Sequence, residues 1–308
     1  MPLAPEIQIY LDTEAAAGLP AVWEAPLETI RANTHSRVSV AGPPEPILKV
    51  EDRYMAGPTS DLHIRIYTPS VNKNSPALVF FHGGGWVLNF IDIYDTALRR
   101  IANQSGAVIV AVNYQKAPEH PFPTPFNDCY ATLEWVIKNA ETLNIDPHKI
   151  GVGGDSAGGN LAAAVALKAR DLKIKLAFQL LVYPCNDRDF YTSSYGEFAT
   201  GFGLTTQAMQ WFWAQYLQGE LHEDNPYACP TRAKTFNSLA PAVVVTAQYD
   251  PLVSDSEKYV DLLKRDGVHV ESRNFEGMIH GFFANVAVTP TSTIALDFCA
   301  ERIKNLTQ

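Results

Sequence analysis

Four short stretches of almost unbroken apolar residues leave this chain few architectures to adopt: Ala77-Leu-Val-Phe-Phe, Ala107-Val-Ile-Val-Ala-Val, Leu176-Ala-Phe-Gln-Leu-Leu-Val and Ala242-Val-Val-Val-Thr-Ala. A strand tolerates apolar side chains along its whole length when both of its faces are covered, which is the situation of central strands in a parallel sheet. Between these runs lie stretches with the length and spacing of amphipathic helices, over Tyr94 to Ser105, Phe126 to Asn139, Ser156 to Arg170 and Ser254 to Arg265. The alternation predicts an α/β fold with a mostly parallel sheet covered by helices on both faces. Leu62-His-Ile-Arg-Ile-Tyr alternates apolar and polar residues instead, the pattern of a half-exposed antiparallel edge strand, so a mixed sheet is expected.

Two segments break the alternation. Residues 1 to about 40 look helical, and residues from about 188 to 230 are rich in aromatics, with Gln207 to Leu217 apolar over much of a helical girth. At 308 residues, the chain suits one large domain with additions. We therefore expect cap helices in 1–45, a core in 46–187 and 231–308, and a cap insertion in 188–230.

Charge and cysteine usage exclude several classes. The net charge of −9 repels a polyanion, so nucleic acid is not an expected partner. No apolar run approaches the roughly 18 residues that span a bilayer, and Met1-Pro-Leu-Ala-Pro-Glu lacks the basic and apolar parts of a signal peptide. A cytoplasmic location is the expectation. Cys129, Cys185, Cys229 and Cys299 show no C-x-x-C spacing, which points to buried thiols and to no metal site.

The strongest local feature is Gly154-Asp-Ser-Ala-Gly-Gly, between the strand-like Lys149-Ile-Gly-Val and the helix-like Asn160-Leu-Ala-Ala-Ala-Val-Ala-Leu. A G-x-S-x-G there permits a strained turn whose small flanks leave the serine exposed at the strand end, which makes Ser156 a candidate nucleophile. Chance alone produces three such fixed positions in roughly one chain of this size in ten, so the motif needs company. A glycine-rich turn or a phosphate cradle would use similar residues, but neither G-x-G-x-x-G nor a Walker lysine follows. The company is His82-Gly-Gly-Gly-Trp86, whose chance occurrence is on the order of one in several hundred. Consecutive glycines let backbone N–H groups approach a developing oxyanion without Cβ clashes.

A serine nucleophile needs a base and an orienting acid, expected on loops after later strands in the order Ser, acid, His. Asp250 ends the late strand that includes Val243 to Tyr249, and His280 follows the strand-like Val268 to Phe275 in Gly277-Met-Ile-His-Gly-Phe-Phe. Asp255 is the rival acid, expected to point from the following helix. Trp211, Phe212 and Trp213 of the insertion, with Trp86 and Phe90, either line an apolar acyl pocket or glue the cap to the core. Asp155, beside the serine, is counted with the pocket.

Together these residues resemble the hormone-sensitive-lipase branch of the α/β-hydrolases. The likeness extends to Ala117-Pro-Glu-His-Pro-Phe-Pro, Asp128, Tyr183-Pro184 with Asp187, and Tyr249-Asp-Pro-Leu. The family usually reads Tyr-Arg-Leu-Ala-Pro-Glu where this chain has Tyr114-Gln-Lys-Ala-Pro-Glu, and a second acid after Asp-Pro-Leu-x where it has Ser254. The resemblance implies an eight-stranded core with a helical cap, no cofactor or metal, and hydrolysis of short to medium acyl esters. It assigns Gly84, Gly85 and Ala157 as oxyanion N–H donors, His82 as the residue holding the glycine loop, and Gly83 as its conformational neighbour. A small-molecule ester is the expected partner, and a homodimer is consistent with the resemblance. Amide hydrolysis on the same apparatus is the nearest alternative, and a non-catalytic small-molecule receptor is the alternative from another class.

Overall fold

The computed structural model describes residues 2–219 and 224–308. Three helices come first, α1 (Pro5–Ala17), α2 (Leu27–Asn33) and α3 (Arg37–Val40). Strands β1 (Lys49–Ala56), β2 (Asp61–Thr68) and β3 (Ser75–Phe81) follow, then α4 (Asp95–Ser105), β4 (Val108–Asn113), α5 (Thr124–Lys138), β5 (Ile145–Asp155) and α6 (Ala157–Asp171). Strand β6 (Gln179–Val182) leads into α7 (Ser193–Glu197) and α8 (Thr206–Leu217). The chain closes with β7 (Ala242–Tyr249), α9 (Val253–Arg265), β8 (Val270–Ile279) and α10 (Pro290–Leu306).

The eight strands form one sheet in the order β1-β2-β4-β3-β5-β6-β7-β8. Strand β2 is antiparallel to both of its neighbours, and the pairs from β4 through to β8 are parallel. The alternation in residues 62–67 correctly signals an antiparallel strand, but that strand is not at the edge. β1 pairs with it from Lys49↔Thr68 to Ala56↔Asp61 and takes the edge position. Charged Lys49, Glu51, Asp52 and Arg53 keep this outer strand polar and leave no apolar run to announce it, a common way of blunting a sheet edge.

Side chains of the central strands divide between two cores. From β3, Ala77, Val79 and Phe81 pack with Leu133 of α5, Leu161 of α6 and Leu263 of α9, whereas Leu78 and Phe80 pack with Leu98 of α4 and Leu296 of α10. Both faces being covered explains the unbroken apolar runs. Truncating any of these buried leucines to alanine costs about 2–5 kcal/mol. All four cysteines are buried thiols. Among the described residues no helix is long and apolar enough to cross a membrane.

The parallel arrangement puts the carboxyl ends of β3, β5, β7 and β8 at one end of the sheet, where open α/β sheets bind ligands. His82, Ser156, Asp250 and His280 each lie just beyond one of those ends. Helix α2 is fastened there by Arg31, which forks onto the Glu119 carboxylate at 2.7 and 2.8 Å and donates to the Val87 and Ala117 carbonyls.

Candidate active site

Ser156 occupies the single-residue turn between β5 and α6, with φ 55° and ψ −121°. An L-residue rarely takes that conformation, and it persists where the surroundings over-determine it. Here the Ser156 N–H donates to the Val182 carbonyl at 2.8 Å. The helix that follows comes so close to β3 that a Cβ on Gly158 would stand 1.9 Å from the Phe81 carbonyl oxygen. The glycines of the motif are therefore steric requirements of the turn.

His280 follows β8 and Asp250 follows β7, adjacent parallel strands. The imidazole Nε2 lies 2.9 Å from Ser156 Oγ, and Nδ1 lies 2.7 Å from Asp250 Oδ2. Asp250 is fully buried, and its other oxygen accepts the Leu252 N–H at 2.8 Å. Because a carboxylate accepts and does not donate, Nδ1 carries the proton and Nε2 is left to accept from the serine hydroxyl. Asp255 is buried on α9 and takes no part in this row.

The glycine loop after β3 has its own frame. His82 is buried between Tyr94 and Tyr114, its ring stacked 4.5 Å from that of Tyr114, and Nδ1 bonds the Gly83 carbonyl at 2.8 Å. Burial pushes the imidazole down to about 3, so it stays neutral. The Gly83 N–H donates to Asp155 Oδ1 at 2.7 Å and to the Tyr94 hydroxyl at 3.1 Å, while that hydroxyl donates to Asp155 Oδ2 at 3.0 Å. Burial pushes the Asp155 carboxyl up to about 6 despite these donors. Gly84, Gly85 and Ala157 differ from Gly83, since their N–H groups donate to no group among the described residues. That of Ala157 is one of the orphan amides at the start of a helix.

A cavity of about 110 Å³ contains Ser156, His280, Gly84 and Gly85, with Leu88, Leu204, Met209 and Phe212 among its apolar walls. The two alternatives for the aromatics, lining a pocket or joining the insertion to the core, divide among them here. Phe212 lines the cavity, but Trp86 and Trp213 do not: both are fully buried, with Trp86 stacked 4.3 Å from Tyr216 and 4.5 Å from Trp213. Met209 and Phe212, three residues apart, share the side of α8 toward the cavity, whereas Trp213 and Tyr216 pack on Trp86. Trp211 packs against the Phe212 ring, outside the cavity walls. Phe90 lies against His35 in a neighbouring open cleft of about 680 Å³. Asp155 does border the cavity, with its carboxylate engaged by the glycine loop. Tyr94, which completes that link, has no local sequence signature.

Residues 78–284 match a family of α/β-hydrolase fold. The arylesterase of Saccharolobus solfataricus is 33% identical over 297 residues, spanning 96% of this chain and 97% of that protein. Carboxylesterase NlhH of Mycobacterium tuberculosis is 39% identical over 261 residues, 82% of each chain. A hyperthermophilic esterase from the archaeon Pyrobaculum calidifontis superposes with a TM-score of 0.94 at 38% identity, covering 99% of both chains. The chain belongs to the α/β-hydrolase family, in its hormone-sensitive-lipase-like branch.

Proposed function

We propose that the protein is a serine carboxylesterase in which Ser156 is the nucleophile, His280 the base and Asp250 the orienting acid. The observation that carries this reading is the row Ser156 Oγ, His280 Nε2, His280 Nδ1 and Asp250 Oδ2, at 2.9 and 2.7 Å, drawn from the ends of three strands beside a pocket. His280 accepts the serine proton as Oγ attacks the ester carbonyl, then donates it to the departing alcohol. Water repeats the sequence on the acyl-enzyme. The N–H groups of Gly84, Gly85 and Ala157 receive the oxyanion, and Asp250 stabilises the transient imidazolium. His82, Gly83, Tyr94 and Asp155 hold the glycine loop in shape.

Residues 2–45 and, within 188–230, residues 188–219 and 224–230 form a cap over this end of the core, a reading supported by Thr34, Leu204, Met209 and Phe212 in the cavity walls; residue 1 and residues 220–223 lie outside the described residues. The small cavity favours short to medium acyl groups, and the esterase names of the relatives favour esters over amides. A panel of p-nitrophenyl esters from acetate to palmitate, with matching anilides, tests the reading on wild type beside Ser156→Ala. Turnover of the short esters that vanishes in the variant is expected. Undiminished turnover in the variant, or equal efficiency for acetate and palmitate, contradicts it.

A further inference from the structure

Arg37 opens α3, in the N-terminal segment outside the residues matched by the family model. Its side chain lines the cavity that holds Ser156 and His280. Nη2 lies close to Gly281, the residue after the histidine, at 3.2 Å from where a Cβ there would stand. The guanidinium has no hydrogen-bond or ion-pair partner among the described residues, and its Nε is enclosed. Three other arginines behave differently: Arg31 forks onto Glu119, Arg65 bridges Asp52 and Asp92, and Arg100 forks onto Asp297.

A guanidinium carries five N–H donors and stays charged in a protein, so one that is half-buried, with its Nε enclosed and without an acceptor, has donors to offer a ligand. Around Arg37 are the phenols of Tyr10, Tyr94 and Tyr183 and the carboxyl of Asp155. Burial keeps those phenols neutral, and Asp155 is engaged by Gly83 and Tyr94. A second cation without an ion pair among the described residues, Lys116, lines the adjoining cleft, which shares Thr34, Leu88 and Asn89 with the cavity. A chain of net charge −9 thus presents Arg37, without an ion pair among the described residues, in the cavity of its nucleophile, and Lys116, over the Tyr114 ring, in the cleft next to it.

We infer that Arg37 is a specificity-determining residue that receives a carboxylate carried by the ester substrate, within a few bonds of the scissile carbonyl. The inference rests on the esterase reading and names its substrate class, an anionic ester. The carboxylate belongs to either the acyl or the alcohol portion, because the guanidinium fork is matched to the anion itself.

Two substrate pairs separate these sources. For the acyl side, p-nitrophenyl hemiglutarate is compared with p-nitrophenyl valerate, and for the alcohol side, O-acetyl-lactate with O-acetyl-lactamide. In wild type, kcat/KM for the anionic member of one pair is expected to exceed that of its neutral counterpart by about 10- to 100-fold, as a charge-assisted hydrogen-bonded contact allows. Arg37→Met collapses that ratio toward one, and Arg37→Lys, which keeps charge without the fork, retains part of it. Because each ratio is internal to one preparation, loss of folded protein does not imitate the effect. Ratios at or below one for both pairs in wild type, or a ratio that survives Arg37→Met, overturn the inference while leaving the esterase reading intact. A wild-type protein that cleaves neither member of either pair overturns both.

Discussion

The Phe212 ring packs onto the backbone of Gly85, so closely that a Cβ on the glycine would stand 2.2 Å from the ring carbon Cδ1. The glycine loop and helix α8 are therefore fitted to one another where both line the Ser156 cavity. This contact is where the proposed cap meets the proposed oxyanion site.

Gly85→Ala is expected to lower kcat/KM by roughly 10- to 100-fold, since the added methyl must move either the ring or the loop whose amides are to receive charge. Adding Phe212→Ala removes the clash but not the cost of φ +60° at residue 85, so recovery is expected to be partial. Ester kinetics of the single and double variants check this. A Gly85→Ala enzyme as active as wild type contradicts it.

Asp250→Asn separates the proposed orienting acid from its rival. An amide at 250 offers less to the imidazolium and disturbs the tautomer, so kcat is expected to fall by on the order of 10³–10⁴. Burial, with Asp187 beside it, pushes the Asp255 carboxyl well above the usual carboxylate range, so Asp255→Asn replaces a neutral group with another neutral group and costs less than about tenfold. Steady-state kcat for the two variants on one short ester is the measurement, and a larger loss at 255 than at 250 contradicts the assignment.

Asp155 makes stability depend on pH. Burial raises its carboxyl from 3.8 to about 6, so between those values the native state binds more protons than the unfolded chain. Stability contributed at this position is therefore highest below the window and declines as pH climbs through it, by on the order of 3 kcal/mol in total. Asp155→Asn removes that slope. Urea unfolding of both proteins at pH 4 and pH 7 is expected to show the difference shifting against wild type at the higher pH, and a difference independent of pH contradicts the account.

What the sequence disclosed follows from where each signal originates. Runs such as Ala77 to Phe81 were readable because two-sided burial writes itself into consecutive residues, and Gly154 and Gly158 because the turn at Ser156 has no room for a side chain. Strand β1 was not readable: an outer strand of charged residues looks like a loop until its pairing with β2 is seen. Trp86 and Trp213 resembled pocket residues because composition records an apolar aromatic without recording whether it borders a void or another ring. Asp155 adjoins the serine in sequence, yet its bonds to Gly83 and Tyr94 depend on residues 72 and 61 positions away. Arg37 stands in a helical segment with no motif, and its lack of an ion-pair partner among the described residues is a property of tertiary structure alone.

Covalent labelling of Ser156 bears most directly on the central claim. A serine activated by a neighbouring imidazole attacks the phosphorus of a fluorophosphonate probe and expels fluoride, so wild type is expected to be labelled stoichiometrically at Ser156, with His280→Ala slowing the reaction strongly and Ser156→Ala abolishing it. Labelling that persists in Ser156→Ala, or that proceeds at the wild-type rate without His280, contradicts the proposed triad.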